Sequence, residues 1–197
     1  KQAFGHPCRL QATCRWPTTP WRNPALVVRA SVVFGVTRIV MVPSFLTAIL
    51  KVLTASIDSR ETFQFFYSLR ELHVSGESLP LALAKLVFIT RMSVLCRAGE
   101  TQIEKFRIVN FYGSTEISGD VTAFELESLE GYDDGSLQAS TSDSGGLDLV
   151  PVGRPLPRCD VNVFIKEQSK WRPAQPYEEG FIFVSGDHVA RGYLDLR

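Results

Sequence analysis

The chain has 197 residues, 45% of them hydrophobic, which is enough for one domain with a real core or for one and a half small ones. Its 21 basic and 21 acidic residues balance, which excludes the bulk positive field of a nucleic-acid binder. The balance hides an asymmetry: seven basic residues and no acidic one precede Asp58, and the remainder carries a net charge of −7.

Residues 1–31 read as an irregular lead-in. Pro7, Pro17, Pro20 and Pro24 forbid long regular structure there, and Trp16 and Trp21 have no evident partner. An acid-poor, arginine-bearing N-terminus is also the composition of an organelle transit peptide. The chain opens on Lys1 rather than Met, which predicts that its true beginning lies upstream. His6, Cys8 and Cys14 match no zinc-ligand spacing. With Cys96 and Cys159 they make a scattered, unpaired set that fits a reducing compartment, so the expected location is the cytoplasm, with organelle targeting left open.

Ser31 to Leu53 is apolar over the length of a membrane span, but Arg38 and Pro43 interrupt it. A central arginine is costly in lipid and the proline splits the run, so no membrane span is expected. The stretch reads instead as a buried strand, 38–42, and a helix from Ser44, a plausible N-cap, with Phe45, Leu46, Ile49, Leu50 and Leu53 at helical spacing. Asp58–Tyr67 is mixed. Leu69–Ser75 reads as a second strand, ending in Gly76-Glu77-Ser78-Leu79-Pro80. Pro80 suits the first turn of a helix whose apolar residues spread too widely for one face, which predicts that this helix is well buried. Phe106–Tyr112 is the third strand.

Strand, helix, strand, helix, strand at this spacing implies right-handed crossovers and a parallel α/β sheet, expected over residues 32–128. The three strand ends then emerge on one edge, where open α/β sheets bind ligands. Val121–Leu126 reads as a short strand. Residues 129–147 are acidic and rich in Ser and Gly, the composition of a surface loop. From 148 to 197 the pattern is β, with strands at Asp160–Ile165 and Phe181–Val184, and forms a smaller β-rich subdomain.

The chemistry concentrates in Asn110-Phe111-Tyr112-Gly113-Ser114-Thr115-Glu116. Tyr112 offers a flat face for a purine, and Gly113 admits a ligand or a second backbone. Ser114 and Thr115 offer hydroxyls to phosphate oxygens. Glu116 offers a hard oxygen to Mg²⁺, which takes one or two carboxylates beside substrate phosphates. Gly-Ser-Thr-Glu is also what a plain helix N-cap looks like.

This stretch resembles the NxYG(S/P)TE signature of the adenylate-forming superfamily, whose members include acyl-CoA synthetases, adenylation domains of peptide synthetases and luciferases. Val36–Ser44 is similar to that family's GVTxxxxVPS strand, and Leu72–Pro80 to its xxxxGGExLP turn. Val152–Pro155, Gly180–Val184 and Gly186–Leu194 are similar to xxGxPxP…GELxxxGxxVARGYL. The four motifs keep the family's order over about residues 32–197. The Ser-Gly-Asp after the signature resembles the β-alanine-activating and plant acyl-activating branch.

The resemblance implies an ATP-dependent acid–thiol ligase that joins a small carboxylic or amino acid to AMP, releasing pyrophosphate. It then passes the acyl group to coenzyme A or to the phosphopantetheine thiol of a carrier domain. ATP or AMP and Mg²⁺ are the implied cofactors. Tyr112 would stack on adenine, which Gly76, Glu77 and Ser78 would flank through backbone groups. Thr115 would bond the α-phosphate, and Glu116 would hold Mg²⁺. The acid pocket would fall near Met41, His73, Ser75, Phe111, Gly119 and Asp120. Asp120 could pair with a substrate ammonium or merely cap a turn; His73 could face substrate or be a satisfied core histidine. Arg191-Gly192-Tyr193 is expected to serve structure. The sequence shows no Ser/Thr/Gly-rich phosphate loop ending in Lys-Gly and no C-terminal lid with its lysine. It therefore reads as a middle fragment of an adenylation domain, alternatively as a catalytically inactive remnant that at most binds AMP or a partner. A luciferase-like oxygenase shares these motifs, but nothing in the sequence favours it.

Overall fold

The computed structural model describes residues 22–101, 103–129 and 148–194. The possible ligands His6, Cys8 and Cys14, and all of the acidic loop except Leu129, lie outside the described residues.

The lead-in is not wholly irregular. Pro24–Val33 forms helix α1, capped by Asn23, whose Oδ1 accepts from the backbone of Ala25 at 3.0 Å and Leu26 at 3.4 Å. Pro24 sits at N1, where its missing N–H costs nothing, so this proline starts a helix instead of forbidding one. Strand β1 follows at Arg38–Met41, then helix α2 at Pro43–Ala55. Ser44 is not its cap. Val42 takes that place without a side-chain bond, and the free amide of Ser44 is met from elsewhere: its N–H and Oγ–H donate to Glu77 at 2.9 and 2.8 Å. A carboxylate at a helix N-terminus satisfies an orphan donor and complements the dipole. The mixed stretch contains helix α3, Arg60–Ser68, started by the bond from Thr62 N–H to Ser59 Oγ. Strand β2, Glu71–Val74, leads to helix α4, Leu81–Arg97, and then to strand β3, Arg107–Ser114.

Strands β1, β2 and β3 pair in parallel and lie side by side in chain order. Right-handed crossovers stepping in one direction put every intervening helix on the same face. The packing agrees. Met41, Leu72, Val74 and Ile108 project from that face into one core with Leu46, Ile49 and Leu53 of α2, Phe65 and Phe66 of α3, and Val87, Val94 and Leu95 of α4. Helix α4 is buried only along this stripe, since Leu86, Ile89 and Met92 are exposed; the expectation of all-round burial fails because the wide apolar spread is two stripes, one inside and one outside.

Strand β4, Gly119–Leu126, runs antiparallel to β3, with a bulge between Tyr112 and Gly113. Strand β5, Arg154–Pro155, pairs antiparallel with β4 and completes a five-stranded sheet. The separate small sheet begins later. Its strands are β6, Cys159–Glu167, β7, Lys170–Pro173, and β8, Phe181–Gly186, in the antiparallel order β7-β6-β8. The two sheets meet in a second cluster, where Ile117, Val121 and Cys159 are buried beside Tyr112, Leu156 and Val184. Among the described residues no helix is long and apolar enough to cross a membrane.

The face of the sheet opposite the helices carries a charge network centred on Glu71. Its carboxylate pairs with Arg38, with Arg107 at 2.6 Å and with His73 at 3.0 Å, while Arg107 also reaches Glu125 at 3.0 Å. The Arg38 bond, helped by Arg107 and His73 and opposed by partial burial, holds the Glu71 carboxyl down at about 2. A folded value below the ordinary 4.5 stabilises the fold above pH 4.5, and that stability is lost as pH falls toward 2. Between those values the melting temperature of the unmodified protein should therefore fall more steeply than that of Glu71→Gln. Parallel slopes in a thermal melt series would show that Glu71 does not carry acid sensitivity.

Candidate functional site

The carboxyl ends of β2 and β3 open on one edge of the sheet, as their parallel pairing requires. Between them lies a cavity of about 280 Å³. One wall is Gly76–Leu79, the other is Asn110–Gly113, and Leu149, Val150 and Val152 close the third side. The third wall is stitched in place. Leu81 N–H donates to Asp148 O at 2.8 Å and Val150 N–H to Leu79 O at 2.9 Å. Asn110 Nδ2 donates to the carbonyls of Val150 at 3.2 Å and Pro151 at 2.9 Å.

Those two bonds fix which end of the Asn110 amide is which. Its Oδ1 is buried and has no partner among the described residues, in a residue that is 3% exposed and lines the cavity. A buried, unpaired acceptor is costly and wants a donor. The sequence motif contains Asn110 without assigning it a role. The signal was available: a carboxamide between Val109 and Phe111, in the middle of an apolar strand, needs a polar reason to be there.

Of the residues expected around a nucleotide, Gly76, Glu77, Ser78, Tyr112 and Gly113 line this cavity. The Glu77 carboxylate is engaged by the backbone N–H and the hydroxyl of Ser44 at the start of α2. Gly113 serves a second backbone: a Cβ there would lie 1.8 Å from Gly119 O across the β3–β4 pair. Thr115 and Glu116 are not cavity residues. They are the two exposed residues of the one-turn 3₁₀ helix Thr115–Ile117 at the tip of β3, whose third residue, Ile117, is buried.

Ser114 makes no side-chain cap bond in that turn. Its hydroxyl donates to Glu116 Oε2 at 2.7 Å, and Tyr193 Oη donates to Glu116 Oε1 at 2.9 Å. The Ser114 bond, then a backbone N–H, then the Tyr193 bond lower the Glu116 carboxyl below its ordinary range, and the same contact raises the Tyr193 phenol. Glu116 is thus an ionised, exposed carboxylate. Among the described residues no three His, Cys, Asp or Glu converge into a self-sufficient metal site. One carboxylate with free lone pairs fits Mg²⁺ only in the manner in which that ion shares its shell with waters and phosphates.

The residues expected around an acid are partly gathered. Ser75 Oγ donates to Asp120 Oδ1 at 2.6 Å across 45 residues of sequence. The His73 ring lies 5.1 Å from the Phe111 ring, and its Nε2 is already engaged by Glu71. Gly119 pairs with Ser114 at the mouth of the β3–β4 ladder. Met41 is not with them. It is 8% exposed and packs among Leu46, Leu50 and Phe65 on the helix side. Side chains alternate along a strand, and the register Met41↔Val74 puts Met41 on the buried parity. The neighbour on the opposite parity is Val42, whose Cγ1 would be 3.3 Å from a Cβ on Gly76.

The family model described as AMP-binding enzyme matches residues 8–194. A beta-alanyl-bioamine nonribosomal peptide synthetase, ebony, of Drosophila melanogaster is 30% identical over 181 residues, 92% of this chain and 18% of that protein. Among solved structures, the N-terminal subdomain of Klebsiella oxytoca NpsA in complex with 3-hydroxybenzoyl-AMSN superposes with a TM-score of 0.58 at 21% identity, over 92% of this chain and 36% of that one. The O-succinylbenzoate coenzyme A synthetase of Bacillus subtilis, in complex with ATP and magnesium ion, superposes with a TM-score of 0.52 at 20% identity, over 87% of this chain and 27% of that one. The likeness in fold extends to the mixed sheet and the small antiparallel sheet. The chain spans less than a fifth of the peptide synthetase and about a third of the solved chains.

Proposed function

We propose, because this chain belongs to the AMP-binding enzyme family, that the complete protein activates a small carboxylic or amino acid with ATP and passes it to a thiol. The acid's carboxylate attacks the α-phosphorus of ATP, forming a mixed anhydride with AMP and releasing pyrophosphate. A thiolate of coenzyme A or of a carrier's phosphopantetheine then attacks the carbonyl and AMP leaves.

One observation carries the reading: a cavity beside an aromatic ring contains a buried acceptor, Asn110 Oδ1, with no donor among the described residues. Adenine answers both features. Its face stacks on Tyr112, and its exocyclic amine donates to Asn110 Oδ1, while the Gly76–Ser78 backbone borders the ring edge. The ribose and phosphates then lead out of the cavity toward the tip of β3. Thr115 would donate there to the α-phosphate, and Glu116 would be the residue that holds Mg²⁺. Bound Mg²⁺ supplies neutralisation of phosphate charge as it builds. The acid lies along the face bearing His73, Ser75, Phe111, Gly119 and Asp120. Asp120 uses one oxygen on Ser75 and keeps the other for an ammonium group, which favours an amino-bearing acid.

The test compares AMP with inosine monophosphate, which carries an acceptor where AMP has the amine. By calorimetry on the complete protein, AMP should bind at least about tenfold more tightly, the equivalent of one satisfied buried acceptor. Asn110→Leu should erase that preference. Because the readout is a ratio of two ligands on one protein, partial unfolding of the variant does not mimic it. Equal affinities in the unmodified protein would overturn the assignment of the cavity to adenine.

A further inference from the structure

Glu116, like Glu77 and Asp120, is held by neutral donors, unlike the carboxylates that the scaffold pairs with arginine. Glu71 is met by Arg38 and Arg107, and Glu178 by Arg172 at 2.7 Å. Those carboxylates are neutralised by the scaffold. Glu116 is held by the hydroxyls of Ser114 and Tyr193, both neutral donors, and among the described residues no guanidinium or ammonium pairs with it. Its charge is fixed in position without being cancelled.

Most of that fixing comes from far along the chain. After β8 ends at Gly186, the segment 187–194 turns back over the tip of β3. Its start is tied by Asp187 N–H to Arg158 O at 3.3 Å and by an Arg158–Asp187 ion pair. Ala190 N–H then donates to Glu116 O at 2.7 Å. Gly192, at φ +129°, takes a turn that other residues rarely adopt, and Tyr193 returns its hydroxyl to the Glu116 carboxylate, 77 residues away in sequence. One segment therefore holds both the main chain and the side chain of Glu116. Tyr193 is 73% exposed and belongs to neither apolar cluster, so its hydroxyl is not positioned as a by-product of ring burial.

We propose that Tyr193 is a positioning residue for Glu116: with Ser114 it locks the carboxylate in one orientation, one lone pair taken on each oxygen, and leaves the remaining lone pairs presented to a divalent cation that arrives with the nucleotide. This rests on the reading of Glu116 as a cation ligand. Arg191-Gly192-Tyr193, expected from sequence to serve structure, then acts on the site through Glu116. An aliphatic or acidic residue at 193 would leave Glu116 free to rotate or would repel it, whereas a lysine would cancel the charge the cation needs.

The test titrates Mn²⁺ by electron paramagnetic resonance into the complete protein with the α,β-methylene analogue of ATP, and separately measures binding of the metal-free analogue. Tyr193→Phe removes one oxygen from an exposed ring and should keep the fold. It should weaken Mn²⁺ binding about tenfold, the usual loss when a ligand's outer partner is removed. Metal-free analogue binding and the melting temperature should stay unchanged. Glu116→Ala should weaken Mn²⁺ further, and adding Tyr193→Phe to it should change nothing more. If Glu116→Ala weakens Mn²⁺ but Tyr193→Phe does not, the positioning role is wrong while the metal role of Glu116 stands. If Tyr193→Phe weakens the metal-free analogue equally, its effect is structural and the proposal fails. If Glu116→Ala itself leaves Mn²⁺ binding intact, the underlying reading falls.

Discussion

Replacing Glu116 with alanine should reduce carboxylate-dependent ATP–pyrophosphate exchange by the complete protein at least about 100-fold, the scale of losing one aimed electrostatic group in a transition state. The loss should be selective. Glu116 lies exposed on the 3₁₀ turn and outside the cavity that Asn110, Tyr112 and Gly76 line, so AMP affinity should change little. Glu116→Asp, which keeps the charge but shortens the reach to the Ser114 and Tyr193 hydroxyls, should fall between the two. The pattern separates base binding from phosphate chemistry, because a general collapse of the tip of β3 would lower both. Exchange that survives Glu116→Ala undiminished would remove this residue from the mechanism.

The part of this molecule that was legible in the sequence is the part written in local periodicity. Leu46, Ile49, Leu50 and Leu53 announce α2, and the three apolar runs 38–42, 69–75 and 106–112 announce the parallel strands. What escaped depends on parity and on partners distant in sequence. Placing Met41 in the acid pocket failed on parity. A strand read as 38–42 offers both 41 and 42, and only the observed register with β2 decides which faces the helices. Capping α2 from Ser44 failed because the true donor–acceptor pair is Ser44 with Glu77, 33 residues away. Helix α1 escaped because its single Asn-Pro start was outweighed by the prolines before it. The Tyr193–Glu116 bond spans two sheets and leaves no periodic trace at all. Functional groups at strand ends were visible, then, and the contacts that aim them were not.

Gly113 shows how far aim and fold are the same problem. Gly113→Ala should cost about 3 kcal/mol in denaturant unfolding, at the upper end for forcing atoms into a filled site. The new Cβ would sit 1.8 Å from Gly119 O and 2.4 Å from Gly119 C, and both are backbone atoms that cannot rotate away. Strands β3 and β4 would have to part at the bulge, where Gly113 pairs with Asp120 and Ser114 with Gly119. Parting them moves Tyr112 on one side and strains the Ser75–Asp120 bond on the other, so AMP affinity should fall along with stability. Gly99→Ala is the control. That residue has φ +77° but nothing within 4 Å of a Cβ, so its cost should be only the left-handed backbone penalty of about 1 kcal/mol, with no effect on AMP. If the two variants prove equally mild, β3 and β4 have slack at the bulge. The glycine would then be present for a ligand's approach rather than for its neighbouring strand.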